Sequence, residues 1–166
     1  MIIRNETSSD IEAISKVTIA AFKSLAISQH TEQFIINALR EANALTVSLV
    51  AEIDGQVVGH IAFSPVTISD GSTGWYGLGP VSVLPEHQKK GIGKSLINQG
   101  LSLLKKMGGQ GCVLVGHPEY YQQLGFRNIP QLIHEGIPTD VFFAMPFTEK
   151  VPKGSVLFHE GFLAKG

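Results

Sequence analysis

The sequence predicts an α+β fold of the three-layer α/β/α type, with helices on both faces of a mixed, mostly antiparallel sheet. Three observations predict it. Residues 11–42 hold two amphipathic helical runs, Asp54-Gly55 joins two β-branched-rich segments, and residues 75–107 read as a strand, a glycine-containing loop and a helix. No repeat, low-complexity tract or Pro/Gly/Ser-rich linker divides the chain. One domain is therefore expected over residues 1–166, with a core over 1–147 and a terminal extension over 148–166.

Residues 1–4 start as a short apolar strand. Ser8, Ser9 or Asp10 can cap a helix whose apolar positions Ile11, Ile14, Val17, Ile19 and Phe22 keep helical spacing. After a break near Ser28, residues 31–42 repeat the pattern with Phe34, Ile35, Ala38 and Leu39, and both helices should lay one face on a sheet. Residues 45–53 and 57–68 read as strands. Asp54-Gly55 suits a type I′ turn, in which both central residues take positive φ, so an antiparallel hairpin is expected. Residues 75–84 form a further strand, and Ile92, Leu96, Ile97, Leu101 and Leu104 place a helix over 91–107. A wholly apolar strand at 112–115, a brief helix through 120–124 and strands near 126–129 and 141–146 complete the core. In the extension, Val156, Leu157, Phe158 and Phe162 imply packing on the domain or a subunit contact in a homodimer.

Composition excludes several classes of function. Thirteen Lys+Arg against 14 Asp+Glu give a net charge of −1, which offers no global attraction to nucleic acid or to an anionic membrane. The single cysteine, Cys112, rules out an intrachain disulfide and fits a reducing compartment. Its apolar neighbours make it a small buried hydrophobe, and the histidines have no metal-like spacing, so no metal is expected. The first 15 residues lack a signal peptide's apolar run, and no apolar stretch approaches the ~18 residues of a membrane span. A cytoplasmic protein is expected. Glycine, at 18 of 166 residues, exceeds the average of about 7%.

Some of that glycine lies in the loop Gln88-Lys89-Lys90-Gly91-Ile92-Gly93-Lys94, between a strand and a helix. Such geometry binds phosphate, because the first amides of a helix have no intrahelical acceptor, the helix dipole is positive there, and glycine admits close approach. Lys89, Lys90 and Lys94 concentrate charge at that point. A tight strand-to-helix turn with solvated lysines explains the same residues. A nucleotide P-loop would need glycine where Gln88 stands, and a dinucleotide fingerprint would need it at Leu96.

The segment from Gln88 to Gly93 resembles the acyl-CoA motif [QR]-x-x-G-x-[GA] of the GNAT N-acetyltransferase superfamily, with Pro85 in the preceding loop. Tyr121-Gln122-Gln123-Leu124-Gly125-Phe126 resembles the family's Y-x-x-x-G-F segment. The order of elements over most of residues 1–147 follows the family as well. The resemblance implies the GNAT acyl-CoA N-acyltransferase fold, with a splayed strand pair in the sheet. Backbone groups of Val81, Ser82 and Val83 would then pair with the pantetheine arm of acetyl-CoA, and Gln88, Lys89, Lys90, Gly91, Ile92, Gly93 and Lys94 would cradle its pyrophosphate. Gly79-Pro80 suits the bulge that parts the strands.

By the same resemblance Tyr121 would protonate the departing CoA thiolate; a phenol with a reference pKa of about 10 carries its proton at neutral pH. An amide near Val81 would hold the oxyanion. The resemblance also implies a general base on the strands. Yet residues 75–84 and 112–115 contain no Asp or Glu, and His117 offers only an imidazole beside the last of them. The acceptor pocket would lie along 22–33 and 131–140. The expected activity is transfer of an acetyl group from acetyl-CoA to a primary amine of a small molecule or protein, directly in a ternary complex. A non-catalytic acyl-CoA-binding protein of the same fold is the alternative.

Overall fold

The computed structural model describes residues 1–166. Strand β1 (Ile2–Asn5) leads through a 3-10 turn at Ser8–Asp10 into α1 (Ile11–Phe22) and then α2 (Glu32–Glu41). Strands β2 (Val47–Ile53) and β3 (Gln56–Pro65) form the expected hairpin, with Asp54 at φ +50° and Gly55 at φ +78°. Next come β4 (Thr67–Ile68), β5 (Trp75–Val83), α3 (Ile92–Lys106), β6 (Gly111–Val115), α4 (Pro118–Gln123), β7 (Leu132–Ile133), β8 (Phe142–Pro146) and β9 (Gly154–Leu157). The main sheet has the order β1-β2-β3-β5-β6-β8, antiparallel except for the β5–β6 pair.

Both faces of the sheet are covered, and β3 is buried at all eight interior positions. On one face Ile14, Val17 and Ile36 of α1 and α2 pack on Val50 and Val57, with Leu84 at the edge of the cluster. On the other, α3 packs Ile92, Leu96, Ile97, Leu101 and Leu104 against Leu49, Val58, Ile61, Phe63 and Leu78. Full burial of one such aliphatic side chain contributes roughly 1.5–3 kcal/mol. Alternation along β3 sorts its residues between the layers: Ile61 and Phe63 face α3, while His60, Ala62 and Ser64 face α1.

The β5–β6 ladder is short, pairing Trp75–Gly77 with Gly111–Val113 and ending there. Beyond it the β3–β5 register slips: Phe63 opposes Leu78 and Ile61 opposes Val81, so β5 carries an extra residue where Gly79 and Pro80 stand. Gly79 has φ +137°, and proline has no N–H to give a ladder. The two strands therefore part after Gly77. Thr18 of α1 lies over Ser82, and Ile14 and Val17 pack near Leu84. Thus α1 runs against β5 and carries its last turn, with Phe22, toward the bulge.

Two segments depart from the sequence reading, and the terminal extension packs on the domain as expected. The strand expected over 57–68 breaks after Pro65: Val66 donates to the Trp75 carbonyl, and Thr67–Ile68 pairs with β9 instead. Residues 126–129 make a single bridge, Arg127 to Ala144, because Asn128 turns its amide to the carbonyls of Thr139 and Phe142. The terminal extension supplies the middle strand of a three-stranded sheet, β4-β9-β7, and Phe158 packs its ring on Gly77. No helix is long and apolar enough to cross a membrane.

Candidate active site

The loop after β5 is arranged by its backbone. Gln88 folds back so that its Nε2 donates to the Val83 carbonyl at 3.0 Å. Lys89 and Gly91 are left-handed, at φ +63° and +85°, and Gly91 caps α3. Glycine takes that conformation freely, whereas a lysine meets a steric cost of about 1–2 kcal/mol. Ser95 is the first residue of the helix to donate inward, to the Gly91 carbonyl at 3.0 Å. The six consecutive amides from Lys89 to Lys94 donate to no acceptor in the chain. Lys89, Lys90 and Lys94 are all exposed around them.

Val81 and Val83 pack against the main core, while Ser82, 2% exposed, faces α1. Because β6 pairs only as far as Gly77, the backbone groups of Val81, Ser82 and Val83 directed away from β3 have no partner in β6. Tyr121 lies on α4, across the parted strands. Its ring occupies the space in front of Gly116 and meets Phe126 edge-on at 6.0 Å. Burial, aided by the neighbouring Tyr120 and Cys112, pushes its phenol up to about 12. Cys112 is a fully buried thiol whose burial alone raises its pKa. His117 is exposed at the start of α4, where only its carbonyl is engaged, by the Tyr121 amide.

Two features were beyond sequence reasoning. Tyr120 brings its hydroxyl to 3.3 Å from the point a β-carbon on Gly93 would occupy, and its ring meets Tyr121 edge-on at 5.0 Å. Its place beside Tyr121 in the sequence is the only signal. The second is a half-buried polar chain on the α1 face of the sheet, Arg40–Glu6–Ser48–His60, of which only His60 is fully buried and whose members share no motif.

A cavity of about 390 Å³ opens at the end of α1, lined by Ile19, Phe22, Lys23, His30, Glu32 and Gln33. It falls in the segment 22–33 expected to face an acceptor. In the other candidate segment, 131–140, Leu132 and Ile133 form β7, and His134 lies between Phe142, tilted at 5.6 Å, and Phe158, edge-on at 4.9 Å. Trp75, 2% exposed, packs its ring on Gly111 as a core residue.

A parted strand pair beside a loop of free amides is the frame of a known family, and comparison agrees. The model of the acetyltransferase (GNAT) family matches residues 13–126. An uncharacterized N-acetyltransferase of Escherichia coli strain K12, YhbS, is 35% identical over 128 residues, covering 76% of this chain and 74% of its own. A GNAT family acetyltransferase from Brucella melitensis, solved in complex with acetyl-CoA, is 48% identical, covers 97% of each chain and superposes with a TM-score of 0.87. The E. coli YhbS structure in complex with CoA gives a TM-score of 0.90 at 29% identity, covering 99% of this chain and 93% of that one. The chain belongs to the GNAT acetyltransferase family.

Proposed function

We propose that the protein is an acetyl-CoA-dependent N-acetyltransferase that passes the acetyl group directly to a primary amine in a ternary complex. The observation that carries this reading is the run of six free amides, Lys89 to Lys94, beside a strand whose outward backbone groups have lost their ladder partner. Two phosphates fit the first feature and an amide-bearing arm fits the second. The relatives solved with acetyl-CoA and with CoA support the same occupant. Acetyl-CoA supplies an activated acetyl thioester.

Binding, oxyanion stabilisation and thiolate departure then each have a group in this chain. The amides of residues 89–94 hold the pyrophosphate, with Lys89, Lys90 and Lys94 adding screened charge at the rim. Val81, Ser82 and Val83 hold the arm through their backbone, and an N–H near Val81 stabilises the oxyanion on the thioester carbonyl. Tyr121 gives a proton to the departing thiolate. The cavity at Phe22 and Lys23 receives the acceptor, a small amine or the end of a protein chain.

The experiment is a thermal-shift series followed by turnover. Acetyl-CoA or CoA at 100 times its Kd should add about 2.7 kcal/mol of stability, and Mg-ATP should add none. CoA release is then followed with a panel of an amino acid, a polyamine, an arylalkylamine and a lysine peptide. Stabilisation without release over that panel would leave a non-catalytic acyl-CoA-binding protein, the alternative motivated by the strands' lack of a carboxylate. Stabilisation by Mg-ATP alone would overturn the cofactor.

A further inference from the structure

Five polar side chains are buried outright, and three of them, Thr18, His60 and Ser82, meet where α1 covers β3 and β5. His60 stands directly opposite Ser82 in the register of the two strands. The Ser82 hydroxyl donates to that of Thr18 at 3.4 Å, and Thr18 gives its own proton to the Ile14 carbonyl at 2.7 Å. From His60 a chain of contacts runs the other way, out to the surface. Its Nε2 is 2.8 Å from the Ser48 hydroxyl, and Ser48 donates to Oε1 of Glu6. Arg40 grips the same carboxylate, with Nε at 2.8 Å and a terminal nitrogen at 3.0 Å, and is itself braced by Asn37.

Hydrogen-bond inventory fixes the direction of this chain. The Glu6 carboxyl is opposed by burial, but the neighbouring His60 ring, the Arg40 guanidinium and the Ser48 hydroxyl hold it down at about 2, so at neutral pH it only accepts. Ser48 has one proton and gives it to Glu6. Toward His60 the serine oxygen must therefore accept, which puts the ring proton on Nε2 and an unshared electron pair on Nδ1. That Nδ1 is buried with no hydrogen-bond partner. Burial favours the neutral ring, and Glu6, 3.8 Å away, stabilises the charged one when it forms. Glu6 and Arg40 are the charged groups facing His60, while β2, α1 and β5 present the neutral hydroxyls of Ser48, Thr18 and Ser82.

We propose that His60 is the proton acceptor of the reaction, reached from the parted strand β5 through the hydroxyl of Ser82 and emptied to solvent through Ser48 and Glu6. The inference rests on the acetyltransferase reading above. Facing β-carbons in an antiparallel pair stand about 4.5–5.5 Å apart, so one water or one turn of the Ser82 hydroxyl joins it to Nδ1. The incoming ammonium loses one proton to Nδ1 and becomes a neutral amine. Its lone pair attacks the acetyl carbon, the C–N bond forms and the C–S bond breaks. The thiolate takes the phenol proton of Tyr121, which recovers one from the new amide nitrogen. The imidazolium then releases its proton past Glu6, so each turnover yields amide, CoA thiol and one proton. His60 acts through intervening groups and is a relay base.

The test compares pH profiles of kcat/KM for the wild type, His60→Gln and Glu6→Gln on the amine panel, with 15N spectra of the His60 ring in the full chain. Glutamine can still donate to Ser48 but places no base at Nδ1. His60→Gln should lose about a hundredfold in kcat and the acid limb of the profile, with KM for acetyl-CoA unchanged. Glu6→Gln should move that limb to lower pH, since the imidazolium loses its counter-charge. The wild-type ring should show the Nε2–H tautomer and titrate reversibly. A His60→Gln profile superposable on the wild type, or a ring protonated on Nδ1, would overturn the relay. If His60→Gln does not fold, Glu6→Gln and the wild-type spectra decide. A wild type that acetylates none of the panel overturns the acetyltransferase reading instead, and the ring's tautomer still decides whether Nδ1 is a free base.

Discussion

The hydroxyl of Tyr120 stands 3.3 Å from the position a β-carbon on Gly93 would take, closing the space between α4 and the first turn of α3. Gly93 has no positive φ to require glycine, so its bare α-carbon serves the space around it. In an exposed helix, alanine for glycine gains roughly 1 kcal/mol. Gly93→Ala should therefore keep or raise Tm while raising KM for acetyl-CoA about tenfold, because the methyl intrudes among the free amides and pushes the Tyr120 ring. Calorimetric titration with CoA and steady-state kinetics measure the two effects separately. An unchanged affinity for CoA would mean that the pyrophosphate does not sit at this turn.

How far the sequence foretold this site depends on how local each signal is. The Asp54-Gly55 hairpin, the Gly91 cap and the helix it opens are set by neighbours a few residues apart, and their φ angles match what those residues favour. The relay is different. Glu6, Arg40, Ser48 and His60 come from the loop after β1 and three separate elements, and in β3 both faces are buried, so His60 reads as one polar residue in an apolar run. The small sheet was equally hidden, because Thr67–Ile68 finds its partner in Val156 and Leu157, far along the chain. Proline at 65 and glycine at 79 gave local hints of where β3 and β5 break, though not of what would pair next.

Gly100 illustrates a glycine held by packing. It lies in the middle of α3 with the Phe63 ring pressed onto it, in the space a β-carbon needs, and Phe63 is 0% exposed. The helix-propensity gain of about 1 kcal/mol is then outweighed by overpacking, which costs about 1–3 kcal/mol. Gly100→Ala should lower Tm by roughly 2–6 °C. Phe63→Leu in the same background should recover part of the loss, and a double-mutant cycle read by thermal or urea unfolding gives the coupling. Additive single effects would show that the ring and the methyl never compete.

Acid should unfold the protein through one side of the sheet. Glu6 titrates near 2 in the folded chain against an ordinary 4.5. Arg4, donating at 2.7 and 3.0 Å, holds Asp10 well below its usual range despite its burial. Burial lowers His60 below its ordinary 6.5. In each case the unfolded chain binds more protons, so all three contributions have the same sign. The carboxylate contribution is complete above about pH 4.5 and is lost as pH falls toward 2, while that of His60 begins to fall below about pH 6.5. Urea unfolding at pH 7, 5, 4 and 3 should show a falling free energy. Glu6→Gln should reduce the slope below pH 4.5 without abolishing it, since Asp10 remains; an unaltered slope would remove Glu6 from the account.

Tyr121 makes a prediction about what a pH profile will not show. Burial sets its phenol near 12, so below that value it is a filled proton donor, and no alkaline limb at pH 8–10 can be its titration. Any such limb belongs to another group. The hydroxyl has no hydrogen-bond partner in the chain, whereas the ring fills the space at Gly116 and meets Phe126. Tyr121→Phe keeps the ring and should leave Tm within about 1 °C, as expected where no hydrogen bond is lost. Since a thiolate is a fair leaving group, the loss in kcat should be about ten- to a hundredfold, with KM for acetyl-CoA unchanged. Full turnover in Tyr121→Phe would show that the thiolate leaves unprotonated; the relay at His60 would then carry both protons of the reaction, and His60→Gln would become the more damaging of the two substitutions.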